Sequence, residues 1–183
     1  MDNRLDSQPL RAGGVTVELD RSTRVAALRY FDGATASTLV RTVLGEPLPE
    51  VQRVIRSAST AGEPFILAWR GPRETWILAA SEGPLERLEA ACAGKDDVCL
   101  VVQTDGILGI HASGTGTPEL LRRLGSFGSV PHRGEARTGR FADVAVTVLG
   151  LDDREALLLV ERVYAEHLLG WVRETLLDMN GGE

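Results

Sequence analysis

The stretch from which the fold can be worked out is Leu67-Ala68-Trp69-Arg70-Gly71-Pro72-Arg73-Glu74-Thr75-Trp76-Ile77-Leu78-Ala79. Two apolar runs, at 65–69 and 76–79, lie on either side of a Gly-Pro turn that is followed by charged residues. Apolar runs separated by a turn of this composition are typical of a β-hairpin with a longer loop. The sequence therefore predicts a hairpin that turns at Gly71-Pro72.

A second hairpin of the same pattern follows about 81 positions later, which is the distance from Glu74 to Glu155. Its apolar runs lie at 146–149 and 156–160, and Arg154 precedes Glu155 as Arg73 precedes Glu74. A self-similarity at one fixed offset predicts an internal duplication. The same shift, applied without a gap, also aligns Gly33 with Gly114, 39–41 with 120–122, and Val17 with Val98.

We therefore predict an α+β fold in which two related β-α-β-hairpin-α units pack together. The first unit is predicted at 15–95 and the second at 96–179. Polar residues with Pro9 and the Gly13-Gly14 pair favour a flexible N-terminal arm at 1–14, and 180–183 are predicted to fray. The apolar run at 98–102 predicts a strand buried on both faces.

Four helices are predicted from apolar spacing and terminal residues. They are expected at about 35–44, from Gly83-Pro84 onward, from Thr117-Pro118-Glu119 onward, and at about 163–179. Thr117 can cap the third helix, Pro118 fits its first turn, and Glu119 opposes the positive end of its dipole. On the last helix, the buried or interface side is predicted to consist of Val163, Leu168, Trp171, Val172, Leu176 and Leu177.

Composition excludes several classes of protein. A net charge of −6 without a basic stripe argues against a nucleic-acid partner, and no stretch has the roughly 20 apolar residues of a membrane span. Cys92 and Cys99, the only cysteines, lack zinc-site spacing and are expected to be buried thiols in a reducing compartment. With no apolar leader at the N-terminus, we expect a cytoplasmic protein.

The motifs that could carry chemistry are incomplete. Gly114-Thr115-Gly116 precedes a helix as in dinucleotide-binding loops, but Glu119 takes the place of the third glycine and would repel phosphate. The histidines at 111, 132 and 167 do not have ligand spacing, so no metal site is expected. No G-x-S-x-G elbow is present for a nucleophilic serine. We therefore predict no catalytic residues and no self-sufficient active site.

Two sets of residues are candidates for contacts with a partner. The scarce aromatics of the first hairpin and the last helix are Trp69, Trp76, Tyr164 and Trp171. The segment at 126–139, predicted to be a long loop, carries His132, Arg133 and Arg137. Core packing for the aromatics and a solvated loop for the basic residues are the alternatives. Buried aromatics are also common anchors of subunit interfaces.

The segment from Trp69 to Leu78, with its Trp, Gly-Pro, acid and Trp order, resembles the gamma subunit of heterotetrameric sarcosine oxidase. Two further stretches agree in order with that family. They are Gln103-Thr104-Asp105 followed by Ser113-Gly114 and Leu120-Leu121, and the run from Val160 to Val172. The resemblance covers about 62–177.

The resemblance implies a fold like the folate-binding part of the glycine-cleavage aminomethyltransferases. It also implies a structural subunit that binds no cofactor itself. Its partners would be larger subunits that carry FAD, FMN, NAD, zinc and the tetrahydrofolate site. Such a complex oxidises sarcosine or another N-methyl amine and passes the one-carbon unit to tetrahydrofolate.

Departures from the family pattern leave alternatives open. Gln103 stands where the transferase relatives have a catalytic acid, although Asp105 lies two positions on. Arg73 stands where the gamma pattern has an acid, and Val163 replaces its serine. The alternatives are a small folate-dependent one-carbon transferase that uses Asp105 or Glu74, and a stand-alone assembly module.

Overall fold

The computed structural model describes residues 8–180. The chain divides into two compact units. One unit is Ser22–Thr104, and the other joins the segment up to Arg21 with the segment from Asp105 onward. None of the helices within 8–180 is long and apolar enough to cross a membrane.

The described chain contains two antiparallel sheets and four helices, which confirms the predicted α+β class. The strands are β1 (Leu10–Ala12), β2 (Val15–Asp20), β3 (Arg24–Tyr30), β4 (Val54–Ala58), β5 (Pro64–Gly71), β6 (Glu74–Ala79), β7 (Val98–Val102), β8 (Ile107–Ser113), β9 (Ala136–Phe141), β10 (Val144–Asp152) and β11 (Glu155–Glu161). The helices are α1 (Gly33–Leu44), α2 (Gly83–Cys92), α3 (Thr117–Leu124) and α4 (Ala165–Asn180). Short 3-10 turns occupy Phe127–Ser129 and Arg162–Tyr164.

The Ser22–Thr104 unit is an antiparallel sheet of order β4-β5-β6-β3-β7 with α1 and α2. The predicted first hairpin is confirmed as β5 and β6. The start of α1 is fixed by the Asp32 carboxylate, which accepts hydrogen bonds from the Ala34 and Thr35 backbone N–H groups. Its end is fixed by Gly45, whose φ of 92° suits a glycine cap. The core of this unit includes Ala26, Leu28, Val40, Leu67, Ile77 and Leu88.

The other unit is a sheet of order β1-β2-β8-β11-β10-β9 with α3 and α4. The predicted second hairpin is confirmed as β10 and β11. Alternate residues of the strands pack against the apolar sides of the two helices, as period-two and helical patterns require. The core of this unit includes Ile110, Leu120, Phe141, Val148, Leu158 and Leu168.

The two sheets share one strand order, because β4-β5-β6-β3-β7 corresponds element by element to β9-β10-β11-β8-β2. Both hairpins also carry a register irregularity at the same place. It lies between Trp69 and Gly71 in the first hairpin, and between Gly150 and Asp152, 81 positions later, in the second. This agreement supports the predicted duplication.

The boundaries of the units differ from the predicted 15–95 and 96–179. In the structure β2 pairs with β8, and β7 pairs with β3. The strand that opens each predicted repeat therefore lies in the sheet of the other repeat. Local periodicity shows that a segment is a strand but not which strand it pairs with, and so the exchange was not predicted.

The predicted flexible arm at 1–14 is wrong for its described end. Leu10–Ala12 forms β1 and pairs with β2, and Gly13 and Gly14 make the turn with φ values of 56° and 70°. Residues 1–7 lie outside the described part of the chain. At the other end, Asn180 is the last residue of α4, while 181–183 lie outside the description.

The prediction that 98–102 is buried on both faces is also wrong. β7 is an edge strand, and Val102 is 56% exposed. The expectation of two buried thiols holds for Cys92 only, because Cys99 is exposed. Burial raises the pKa of the Cys92 thiol.

The start of α3 confirms two of three predicted roles. Pro118 lies in the first turn, and Glu119 is the acid there. Thr117, however, is already helical, and the N-cap is Gly116 without a side-chain hydrogen bond. Glu119 instead accepts from Arg123 at 2.8 Å, one turn along the helix.

The last helix begins at Ala165, two residues later than predicted. Of the six residues predicted on its buried or interface side, half are buried and half are exposed. The buried ones are Leu168, Val172 and Leu176. The exposed ones are Val163 (78%), Trp171 (53%) and Leu177 (65%).

The predicted loop at 126–139 is shorter than expected, because Phe127–Ser129 is a 3-10 turn and β9 begins at Ala136.

A two-residue turn, Ala142-Asp143, then connects β9 to β10. Both residues have left-handed φ values, 48° and 65°. This is the geometry of a type I′ turn, for which Asn-Gly is the preferred sequence.

We expect the double substitution Ala142→Asn with Asp143→Gly to raise the free energy of unfolding by about 1 kcal/mol, because left-handed backbone is strained for ordinary residues. Urea denaturation measures the change. Ala145→Asn, at an exposed residue of β10 outside this turn, is the control and should not stabilise. An unchanged or lower stability of the double variant would contradict the turn assignment.

Candidate functional site

A cleft of about 730 Å³ lies within the Ser22–Thr104 unit. Three segments line it: 29–31 at the end of β3, 70–74 at the hairpin turn, and 95–99 at the entry to β7. The cleft is thus built on the hairpin that turns at Gly71-Pro72. Its volume lies within the range of about 300–1,000 Å³ that is common for small-molecule sites.

Backbone hydrogen bonds hold the three segments together. The Tyr30 N–H donates to the Arg73 carbonyl at 3.1 Å, and the Phe31 N–H donates to the Asp97 carbonyl at 2.9 Å. The end of β3 is therefore tied to the hairpin turn on one side and to the 95–99 segment on the other. The Tyr30 hydroxyl is also engaged, at 3.2 Å from the Thr75 hydroxyl.

Glu74, a candidate acid of the transferase hypothesis, is occupied by structural contacts. Its carboxylate accepts from Arg29 Nε at 2.9 Å and from Trp76 Nε1 at 3.2 Å. Both carboxylate oxygens are thus occupied by donors of the chain itself. Glu74 therefore has a structural role in the cleft wall, where it connects Arg29 to Trp76.

Two other arginines of the cleft stack on aromatic rings. The Arg70 guanidinium lies 5.5 Å from the centre of the Trp76 ring, and the Arg73 guanidinium lies 5.7 Å from that of Phe31. Such cation–π contacts fix the planes of the guanidinium groups. Arg70 Nε is buried without a hydrogen-bond partner. Phe31, in contrast, is 73% exposed.

The Gly114-Thr115-Gly116 loop contacts protein backbone. A Cβ added at Gly114 would lie 2.1 Å from the Gly14 carbonyl oxygen, and one at Gly116 would lie 2.1 Å from that of Gly13. The glycines thus allow the β1–β2 turn to approach closely, and the space that a pyrophosphate needs is filled by the chain itself. This geometry favours a structural turn over nucleotide binding.

Gln103, which stands where the transferase relatives have a catalytic acid, and the nearby Asp105 show no catalytic arrangement. Asp105 has an exposed side chain, and its carbonyl accepts from Arg162 Nε at 2.7 Å. Gln103 follows β7, where its N–H donates to the Val25 carbonyl. His111 contacts Glu155 across the sheet at 2.9 Å. Within 8–180, no three His, Cys, Asp or Glu side chains form a group that could hold a metal ion.

The basic residues predicted in the 126–139 segment differ in their exposure and contacts. His132 and Arg133 are exposed, whereas Arg137 pairs with Glu135 at 3.2 Å. The His132 backbone N–H, foremost, and the Arg137 side chain hold the pKa of the Glu135 carboxyl below its ordinary value. Arg137 is therefore engaged within the chain, and His132 and Arg133 remain as surface candidates.

The candidate aromatics separate into two groups. Trp76 is only 6% exposed and supports Arg70, and Trp69 is half-buried beside the register irregularity of the hairpin. Tyr164 (48%) and Trp171 (53%) are exposed. Seven positions separate these two, so they lie on nearly the same side of α4 and the turn before it. Val163, 78% exposed, adjoins Tyr164.

Gly170 lies beside Trp171 in the middle of α4. A Cβ at this position would meet no atom within 4 Å. Glycine in a helix interior costs about 0.5–1 kcal/mol relative to alanine, and no contact within the described chain requires it here. An apolar surface with a bare stretch of helix backbone beside it is suited to close approach by another protein. We refer to Val163, Tyr164, Gly170 and Trp171 as the α4 surface.

Sequence reasoning missed the residues that make the cleft, above all Phe31 and Lys95. The signal for Phe31 was an aromatic residue directly before the Asp32 cap. Lys95, the only lysine in the chain, stood in a turn without any motif. Their proximity to the hairpin depends on pairing between strands far apart in the sequence.

Comparison with known proteins found similarity in structure only. No protein-family model matches the sequence, and no curated protein matches it significantly. A chain of the heterotetrameric sarcosine oxidase from Corynebacterium sp. U-96, solved with pyrrole 2-carboxylate, superposes with a TM-score of 0.82. The match covers 97% of this chain and 91% of that one. The fold is that of a sarcosine oxidase chain.

The glycine cleavage system aminomethyltransferase T from Bartonella henselae is also similar, with a TM-score of 0.71. The match covers 88% of this chain and 46% of the transferase. Sequence identity is low in both cases, 19% to the sarcosine oxidase chain and 12% to the transferase. At these identities the comparisons confirm the predicted fold and do not by themselves assign a function.

Proposed function

We propose that the chain is a non-catalytic, gamma-like subunit of a flavin-dependent, tetrahydrofolate-linked oxidase of sarcosine or another N-methyl amine. The observation that supports this most is the superposition on a chain of a heterotetrameric sarcosine oxidase over nearly the full length of both chains. A match over only one sub-region would have indicated a shared motif. A whole-chain match is what an equivalent subunit requires.

The state of the candidate catalytic residues also supports a structural role. Glu74 is held by Arg29 and Trp76, and the side chain of Asp105 is exposed at the surface. General acid–base catalysis needs an acid or base within hydrogen-bond reach of a bound substrate. The groups that contact the Glu74 carboxylate are a guanidinium and an indole N–H, and neither type of group serves as a general acid or base at neutral pH.

The partners in this proposal are larger subunits that bind FAD, FMN, NAD, zinc and tetrahydrofolate, in a cytoplasmic complex. The α4 surface is the proposed contact region on this chain. Exposed aromatic side chains beside a bare glycine give a large contact area at close range, as at the centres of interfaces. His132 and Arg133 are further candidates, because their side chains are exposed.

Affinity purification of the tagged chain from its native host tests the proposal. We expect large subunits to co-purify in equal stoichiometry, with the absorption spectrum of bound flavin. Mass spectrometry identifies the chains, and resolution of the complex should leave this chain colourless. A chain that elutes alone, or that retains stoichiometric flavin by itself, would contradict the proposal.

The similarity to aminomethyltransferase T favours a second candidate, a small folate-dependent one-carbon transferase that uses Asp105. Titration calorimetry with tetrahydrofolate distinguishes it from the first. Binding that Asp105→Asn abolishes would support the transferase. No heat at millimolar ligand would exclude it and leave the subunit proposal standing.

A further inference from the structure

The cleft in the Ser22–Thr104 unit has an excess of unpaired positive charge. Of its four basic residues, Arg29 alone is paired, with Glu74. Within the described chain, Arg70, Arg73 and Lys95 form no salt bridge. Three cations at one cleft without a carboxylate partner repel one another and favour an anionic ligand.

Arg70 lacks an acceptor. Its Nε is buried and has no hydrogen-bond partner, although the Trp76 ring holds the guanidinium in place. Buried donors are nearly always paired in folded proteins, so an unpaired one at a cleft indicates an acceptor supplied from outside. A planar guanidinium is suited to a carboxylate, which it binds through two parallel hydrogen bonds.

The other wall of the cleft favours a flat apolar group. The exposed Phe31 ring is overlaid by Arg73, and Pro72 and Val98 add apolar surface. An aromatic ring can stack on Phe31 and on the guanidinium face of Arg73 together. A ligand with an aromatic body would therefore cover the part of the Phe31 ring that is exposed to water.

Two acids limit the charge that the ligand can carry. Asp96 and Asp97 also line the cleft, and neither forms a salt bridge within the described chain. They repel a polyanion such as phosphate more strongly than a ligand with one localised charge. The three unpaired cations and the two acids together favour a ligand that carries a single carboxylate.

We propose that this cleft binds a small aromatic monocarboxylate. Its carboxylate lies against Arg70 and Arg73, and its ring lies on Phe31. Lys95 adds a long-range attraction at the rim. The site is contained within one unit of this chain, so it does not depend on assembly with other subunits.

Binding is tested on the full-length chain labelled with ¹⁵N in its arginine side chains, with 2-naphthoate as the probe. We expect saturable shifts of the Arg70 and Arg73 Nε–H resonances. The neutral isostere 2-naphthamide should bind at least about tenfold more weakly, because it lacks the charge-assisted hydrogen bonds. Inorganic phosphate should also bind more weakly than 2-naphthoate.

Substitution of single arginines tests which of them contact 2-naphthoate. Arg73→Met, at an exposed position, should weaken 2-naphthoate binding at least about tenfold without changing the fold, checked by circular dichroism. Arg70→Met should do the same, but it also removes the contact with Trp76. Arg41→Met, an exposed arginine of α1 outside the cleft, is the matched control and should bind normally.

Four results would each overturn the proposal. The first is the absence of saturable shifts up to about 10 mM 2-naphthoate. The others are equal binding of 2-naphthamide, equal or tighter binding of phosphate, and normal binding of 2-naphthoate by Arg73→Met. Because the isolated chain is used, failure here leaves the subunit proposal unaffected.

Discussion

Trp171→Asp should reduce assembly with the proposed larger subunits by about 100-fold or more. Truncating a central interface tryptophan typically costs 2 kcal/mol or more, and an aspartate would in addition be buried without a partner. The isolated chain should be affected little, because Trp171 is 53% exposed and makes no hydrogen bond through its side chain among the described residues. Co-purification yield and dissociation constant measure the effect.

Val102→Asp is the matched control for this experiment. Val102 has a similar exposure, 56%, but lies on the edge strand β7 and not on α4. We expect the control to assemble normally. If Trp171→Asp and the control assemble equally well, the α4 surface is not the contact region.

Gly170→Ala separates stability from assembly at the same surface. The added methyl group meets no atom within 4 Å, and alanine is the better helix former. The isolated chain should therefore gain about 0.5–1 kcal/mol in free energy of unfolding. If a partner approaches the helix closely at this position, the same variant should assemble less well than the wild type. A gain in stability without a loss of assembly would show that the partner does not contact the helix at Gly170.

Gly114→Ala should destabilise the chain by about 3 kcal/mol or more. The new Cβ would lie 2.1 Å from the Gly14 carbonyl oxygen and 3.3 Å from the Val15 Cα, both of which are backbone atoms that cannot rotate away. The φ of 122° is strained for any residue with a side chain. Overpacking and backbone strain together are among the few causes of losses this large. Urea denaturation gives the free energy, and the soluble yield gives a second measure.

Gly128→Ala is the control, since a Cβ there meets no atom within 4 Å and its φ is not in the left-handed region. We expect its stability to remain within about 0.5 kcal/mol of the wild type. A similarly small effect of Gly114→Ala would show that 13–14 do not pack on this loop. The glycines would then be free for a ligand, as in the dinucleotide-binding interpretation.

Local chemistry made much of the fold predictable. The Gly71-Pro72 hairpin, its counterpart at 146–160, and the four helices follow from turn residues and apolar spacing, and the structure confirms them. The predicted ends of the chain were less accurate. Polar residues around Pro9 suggested a free arm, yet 10–12 pair with β2, because backbone hydrogen bonds do not depend on side-chain polarity.

The candidate site was predictable only in part. The aromatics of the hairpin and α4 stood out in the sequence because aromatics are scarce. The sequence did not show which of them are exposed. Trp76 and Trp171 are the same residue type, yet Trp76 is 6% exposed and Trp171 is 53% exposed. The Arg70 side chain, which lies over the Trp76 ring, is brought there by the pairing of β5 with β6.

The sequence by itself determined the secondary structure elements and the hairpin turns, because these depend on propensities and spacings within about 20 residues. It also determined the repeated order of elements, because the two halves match at a fixed offset, the distance from Glu74 to Glu155. Tertiary structure alone decided the exchange of β2 and β7 between the two sheets, the edge position of β7, and the meeting of Phe31, Arg70 and Lys95 at one cleft. Each of these depends on which strands pair across 45 or more positions. Such pairing is set by the burial of the whole core, and no local pattern encodes it.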